Sequence, residues 1–191
     1  MLSSPLVLQM PSSMTDEQFF EFCQLNRDLR IERNKFGDIS IMSPTGSETG
    51  NREGRIIQQV MNWSDEDGTG IAFSSSAGFT MSTGAKCSPD ASWIKSERWN
   101  ILTPEQQKKF APICPDFVIE LLSPSDSLKT TQEKMKEYID NGVRLGILIN
   151  RKSRQVEIYR AGKEVEVLDS PATVSGEDIL KGFVLNLGMI W

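Results

Sequence analysis

The sequence contains no histidine among its 191 residues. This absence excludes a Ser-His-Asp triad, a Cys-His pair, a histidine general base and a His-rich zinc site. The three cysteines, Cys23, Cys87 and Cys114, are odd in number and widely spaced, which favours free thiols in a reducing compartment over a disulfide framework. Any hydrolytic chemistry must therefore use carboxylates, lysine and a hard metal ion.

The sequence also lacks a long apolar run and a basic N-terminal region followed by an apolar stretch, so we expect a cytoplasmic protein. The net charge of −5 argues against a domain that binds nucleic acid through its overall field, because such domains are usually basic. An enzyme that gathers carboxylates around a divalent cation is compatible with this charge. The length and the hydrophobic fraction of 38% are typical of one globular domain.

Helical and strand patterns are mixed along the chain. A capped apolar stripe predicts a helix over about residues 14–33, packed on the domain as an N-terminal extension, and a second helix follows at about 47–65. A third helix is predicted over residues 130–142 and a short one from Thr103. Strands are predicted at 36–42, before a turn at 43–46, and at 71–75, 78–81, 89–94, 117–122, 145–150, 156–160 and 165–169. This order predicts an α/β fold, with a mixed β-sheet flanked by α-helices in a single domain.

The strand predicted at residues 117–122 carries a carboxylate, Glu120, inside an apolar run. Acids inside core strands are usually paired, protonated or bound to metal, because an unpaired buried carboxylate costs on the order of several kcal/mol. Asp90 lies at the start of the preceding predicted strand. If the two strands are neighbours, both acids can bind one Mg²⁺ ion, which accepts one or two carboxylates and keeps several waters. The alternatives are an ion pair for Glu120 and a simple Pro-Asp turn for Asp90.

The helix that follows this strand offers a cation. Lys134 and Tyr138 are one turn apart on the same face of the predicted helix. Lys134 could orient an attacking water or neutralise a phosphate, and its alternative is an ordinary solvated lysine. Asp116, at the start of the Glu120 strand, is better explained as a supporting group or a strand cap than as a metal ligand.

Several separated blocks of the sequence resemble one known family. These are MSPTGSETG, SPDASWIKSERW, PDFVIELLSPSDSLKTTQEKMKEYIDNGVRLGILIN and GFVLNLGMIW. They are similar to the Uma-type family of putative restriction endonucleases, a bacterial branch of the PD-(D/E)XK nuclease superfamily, over about residues 42–191. The resemblance implies a restriction endonuclease-like fold and an endonuclease that hydrolyses phosphodiester bonds of DNA with Mg²⁺, or Mn²⁺ in its place. A homodimer is expected, because cutting both strands of a duplex needs two sites or two visits.

The resemblance also assigns roles to residues. Asp90 matches the strand aspartate of the superfamily and Glu120 its (D/E) position, and both would bind the metal ion. Leu122 stands where the superfamily often has lysine, so a residue of the next helix would take that role, with Lys134 first and Gln132 second.

An acid from an upstream helix often completes such sites. Glu53 is the first candidate for this position and Glu48 is the alternate. The departure at Leu122 and the negative net charge keep a second interpretation open, a catalytically inactive nuclease-like module that serves binding or interaction.

Overall fold

The computed structural model describes residues 5–10, 14–42 and 45–191, so that positions 43 and 44 of the predicted turn lie outside the described residues. Its helices are α1 (Asp16–Leu25), α2 (Ser47–Asp67), α3 (Ser96–Trp99), α4 (Pro104–Gln107) and α5 (Leu128–Asp140). Its strands are β1 (Leu6–Leu8), β2 (Arg30–Arg33), β3 (Ile39–Met42), β4 (Gly70–Ser74), β5 (Phe79–Thr80), β6 (Lys86–Cys87), β7 (Ala91–Lys95), β8 (Phe117–Leu121), β9 (Leu145–Asn150), β10 (Gln155–Arg160), β11 (Glu166–Asp169), β12 (Thr173–Ser175) and β13 (Val184–Asn186).

The main sheet has six strands in the order β11-β10-β9-β8-β7-β4. Only β8 and β9 among them run parallel, and α5 makes the crossover between these two strands. Both strands are buried along their whole length because helices cover both faces of the sheet. The predicted mixed sheet flanked by helices is thereby confirmed.

The side chains of β8 alternate between two cores. One set of side chains packs against Ile56 and Val60 of α2. This set consists of Phe117, Ile119 and Leu121. Val118 points the other way and packs with residues of α5, including Met135 and Tyr138. Glu120 shares the face of Val118 because it lies two residues further along the strand. The strand therefore directs its one carboxylate towards α5.

Helix α5 packs closely on β9 at Gly146. A Cβ atom on this residue would lie 2.6 Å from Met135 Cε, so that a larger residue would require the end of the Met135 side chain to move. Lys134 of the same helix reaches Glu120 near the C-terminal end of β8.

The N-terminal region forms a second sheet, of order β1-β3-β2-β6-β5, and not the long helix that we expected. The helix predicted over residues 14–33 ends at Leu25, which is 79% exposed, so that the apolar stripe does not continue. Residues 30–33 pair with β3 instead, because strand pairing buries Ile31 against Phe19. The start of the helix is capped, since Thr15 forms a capping box with Gln18.

No helix in the described ranges is both long enough and apolar enough to cross a bilayer. The three cysteines are free, in agreement with the prediction from their spacing.

Asp116 directly precedes β8 and stabilises the end of the main sheet where β8 begins. Its carboxylate accepts a hydrogen bond from the Lys95 N–H at 3.0 Å and pairs with Arg98 at 2.8 Å. Its carbonyl oxygen accepts from the N–H groups of Arg144 and Leu145 at the start of β9. The residue thus holds three consecutive parts of the sheet together, about 13 Å along the strand from Glu120.

We therefore expect Asp116→Ala to lower the free energy of unfolding by about 2 kcal/mol, because the Lys95 N–H and Arg98 lose their buried partner. Asp116→Asn keeps an acceptor oxygen and should cost less. Urea denaturation measures both values. If Asp116→Ala instead left stability unchanged and abolished stabilisation by divalent cations, Asp116 would belong to a metal site.

Candidate active site

Asp90 and Glu120 meet at one end of the main sheet. Strand β7 is the antiparallel neighbour of β8, with Ala91 opposite Ile119, and one further step in this register sets Asp90 opposite Glu120. Directly opposed residues of an antiparallel pair project to the same face. Asp90 Oδ2 also accepts a hydrogen bond from the Leu121 N–H at 2.8 Å, and both acids are 6% exposed. The expected adjacency of the two strands is confirmed.

The two acids lie in the wall of a cavity of about 620 Å³. Acidic groups outnumber basic groups in this wall, and the acids are Asp28, Glu32, Glu53, Asp90, Glu120 and Asp126, against Arg30 and Lys134. The N-terminal end of α5 adds hydroxyl groups at Ser127, Thr130 and Thr131. The excess of negative charge attracts cations to the cavity.

Glu120 is held by two side chains of α5. Lys134 Nζ lies 2.9 Å from Glu120 Oε1, and the Tyr138 hydroxyl donates to the same oxygen at 2.8 Å. The two donors are four residues apart and therefore share one face of the helix, as predicted. Leu122 packs against a hydrophobic core cluster and does not line the cavity.

Strand β2 brings two further charged residues that the sequence analysis did not find. Both terminal nitrogens of Arg30 lie 3.0 Å from Asp90 Oδ1, and Arg30 also donates to the Ser88 carbonyl. Glu32 accepts from Lys134 Nζ at 3.1 Å and from the Ser88 N–H at 2.8 Å. The sequence Arg-Ile-Glu-Arg gives little signal for either residue, because the buried Arg33 lies on the same face as Ile31 and interrupts the alternation.

Burial and the charges of neighbouring acids raise the pKa values of Glu120 and Glu53. Burial raises the pKa of Glu120 to about 7; the charge of Lys134 opposes this shift and that of Asp90 adds to it. Burial and the charge of Asp90 raise the pKa of Glu53 to about 7. For Lys134, burial lowers the pKa, but the charges of Glu120 and Glu32 outweigh it and the net shift is upward. Lys134 is consequently a permanent cation at neutral pH.

The donor set suits a hard divalent cation. Within the described residues, no three acidic or thiol side chains are already assembled around one point. Arg30 and Lys134 pair with oxygens of the two central acids. Mg²⁺ needs only one or two carboxylates and completes its shell with water. Asp90 and Glu120 meet this requirement, and Glu53 lines the same cavity.

The remaining candidates lie elsewhere. Glu48 is exposed and pairs with Arg52 and Arg151. Gln132 donates to Glu157 at 2.7 Å, outside the cavity lining. Asp116 lies at the other end of β8. The structure thus brings Asp90, Glu120, Lys134 and Glu53 together and separates Glu48, Gln132 and Asp116 from them.

Comparison with solved structures supports the fold. The chain is similar to a protein from Anabaena variabilis ATCC 29413 that is described as a putative nuclease belonging to DUF820, with a TM-score of 0.74 and 21% sequence identity. The match covers 93% of this chain and 97% of the other. At this identity the similarity shows a common fold and no more. No curated protein matches the chain.

Comparison with protein families gives a match to Uma2, whose description is "Putative restriction endonuclease". The match covers residues 16–188 and therefore begins before residue 42, where the sequence resemblance was expected to start. It includes every strand of the N-terminal sheet except β1, and with them the two charged residues that β2 contributes to the cavity. The chain belongs to the Uma2 family of putative restriction endonucleases.

Proposed function

We propose that this chain is a metal-dependent endonuclease that hydrolyses phosphodiester bonds of DNA in the cytoplasm, as a homodimer. The observation that carries the proposal is the convergence of Asp90 and Glu120 at the ends of neighbouring strands, with Lys134 bonded to Glu120. Rigid strands suit this task because they hold ligands more precisely than loops do.

Asp90 and Glu120, with Glu53 in support, would hold a Mg²⁺ or Mn²⁺ ion. Such an ion, when bound, lowers the pKa of a bound water and stabilises negative charge on a phosphoryl oxygen. The acids must be deprotonated to bind it, and the raised pKa values of Glu120 and Glu53 place this change near pH 7 for those two residues.

Lys134 would act as a fixed positive charge. Its pKa is raised, so it does not serve as a proton-accepting base near neutral pH. Its ammonium group instead donates hydrogen bonds, to orient the attacking water or to neutralise the scissile phosphate. Glu32 and Glu120 hold Lys134 in place, and Tyr138 fixes the orientation of Glu120.

The start of α5 favours a phosphate in the same cavity. A helix N-terminus presents free N–H groups and partial positive charge. Ser127, Thr130 and Thr131 add hydroxyl groups beside it. The substrate backbone would therefore run along the start of α5, with one phosphate between Lys134 and Asp90.

A second candidate function is a binding module without catalysis. The observation in its favour is that cations of the chain itself already pair with both central acids. This candidate predicts no stabilisation by Mg²⁺ or Mn²⁺, whereas a metal-dependent nuclease is stabilised by the ion that it binds.

For the nuclease, we expect Mg²⁺- or Mn²⁺-dependent nicking and cleavage of plasmid DNA by the purified protein. Glu120→Gln should reduce the rate at least about a hundredfold because a metal ligand is lost, and Lys134→Met should reduce it about as much. The matched controls are Glu133→Gln and Lys136→Met, which change exposed residues of the same helix. Agarose gels measure the conversion of supercoiled DNA.

The pattern of losses separates the assignments. If Glu120→Gln abolished cleavage and Lys134→Met left the rate unchanged, the proposed role of Lys134 would be contradicted and that of Glu120 would stand. Wild-type protein without cleavage, and without a shift of its melting temperature by either ion, would favour the binding module.

Glu53→Gln should raise the melting temperature at pH 8 in the absence of divalent cations, by roughly 2 °C. Its pKa is about 7 in the folded protein and near 4.5 unfolded, so the folded state binds more protons between these values and loses stability as pH rises. At pH 4 the carboxyl is protonated in both states and the substitution should have little effect. The gain is modest because Glu53 is partly exposed. Equal shifts at both pH values would contradict this origin.

Arg30→Met should strengthen Mn²⁺ binding about tenfold in the absence of nucleic acid. Arg30 and a divalent cation compete for Asp90 Oδ1, and its removal leaves the cavity more negative. Calorimetric titration measures the affinity, with Arg55→Met on the exposed surface of α2 as control. Weaker Mn²⁺ binding by Arg30→Met would show that Arg30 supports the site by holding Asp90 in position.

A further inference from the structure

A second cavity, of about 660 Å³, adjoins the first one. The two cavities share Asp28, Arg30 and Ser75 in their walls. Arg30 therefore stands between them, with its guanidinium bonded to Asp90 on the side of the first cavity. A ligand that occupied both cavities would pass this residue.

Two aromatic pairs line the second cavity. Phe20 of α1 packs edge-on against Phe110, with ring centroids 6.2 Å apart. Phe73 of β4 packs against Trp99 of α3 at 4.9 Å. All four rings are partly exposed, so that the cavity offers aromatic surface to a ligand. Such surface favours a flat, stacking group.

Positive charge gathers beside the aromatic rings. Arg27, Lys108 and Lys109 line the second cavity and are exposed, and Arg30 adds a fourth cation, against the single acid Asp28. Lys109 Nζ lies 6.0 Å from the centroid of the Phe20 ring. This is the reverse of the first cavity, where acids dominate. A chain with a net charge of −5 thus keeps a local basic surface next to its acidic centre.

We propose that the second cavity binds an unstacked nucleobase of the nucleic acid strand whose phosphate lies in the first cavity. Aromatic rings stack on any base, and cations beside them neutralise the neighbouring phosphates. The Gln24 side chain and the Ser76 hydroxyl, both in the wall, offer hydrogen-bonding groups to a base edge. The inference rests on the proposed function and gives it a substrate class, single-stranded or locally opened nucleic acid.

The test measures binding without catalysis. Full-length protein is titrated against a fluorescein-labelled 12-nucleotide single strand in EDTA, and fluorescence anisotropy gives the affinity. We expect a single strand to bind more tightly than a duplex of the same length. Lys108→Glu/Lys109→Glu should weaken binding at least tenfold and reduce the dependence on salt. Phe20→Ala should weaken it about tenfold through lost stacking.

Matched controls separate the cavity from general effects of charge and ring loss. Lys163→Glu/Lys181→Glu makes the same change of net charge at exposed residues outside both cavities, and Phe36→Ala removes a ring that is 78% exposed. Both controls should bind like the wild type. Thermal melting identifies any variant that fails to fold, and the lysine pair keeps the test decisive if Phe20→Ala is unstable.

The inference and the proposed function can fail separately. Specific loss of binding in the cavity variants supports the base-binding site even if no cleavage occurs with any metal. Cleavage by the wild type, together with unchanged binding in both cavity variants, overturns only the base-binding site. A wild type that does not bind the single strand, or that binds the duplex more tightly, overturns it as well.

Discussion

The whole site depends on one constraint. The negative charge of a carboxylate inside a core strand must be balanced by hydrogen bonds and by opposite charges. Glu120 points from β8 into the space beneath α5, where burial raises its pKa. Lys134 and Tyr138 bond to it, and Glu32 in turn bonds to Lys134. A charged acid inside a strand is less stable there than an apolar residue would be, and the proposed metal site would account for the acid at this position.

The N-terminal sheet supplies some of the charges that balance the buried acids. Its strand β2 supplies Arg30 to Asp90 and Glu32 to Lys134, so that the centre alternates acid and base. This arrangement lets the acids lie close together without a bound ion. A divalent cation can replace part of this positive charge, and the released Arg30 would then be available to a phosphate of the substrate. Arg30 also lies at the boundary to the second cavity, so that the proposed metal, phosphate and base positions would be contiguous.

Local patterns in the sequence predicted the elements that form the centre of the fold. Continuous apolar runs predicted β8 and β9, which are buried on both faces, and an apolar stripe with helical spacing predicted α5. The pattern failed at residues 30–33, because the strand there has four residues and only one of them, Ile31, is apolar. Arg30 and Asp90 are 60 positions apart, and Glu32 and Lys134 are 102 apart, so that no local signal connects them. The two candidate acids of α2 differ by about 140° around the helix axis, and only packing decides that Glu53, and not Glu48, faces the cavity.

The most direct test of this account is a crystal structure of the protein grown with Mn²⁺, with anomalous scattering to locate the ion. The account predicts one peak about 2.1 Å from carboxylate oxygens of both Asp90 and Glu120, with Arg30 moved away from Asp90 Oδ1. A structure with intact Arg30–Asp90 and Lys134–Glu120 pairs and no peak between the two acids would contradict it.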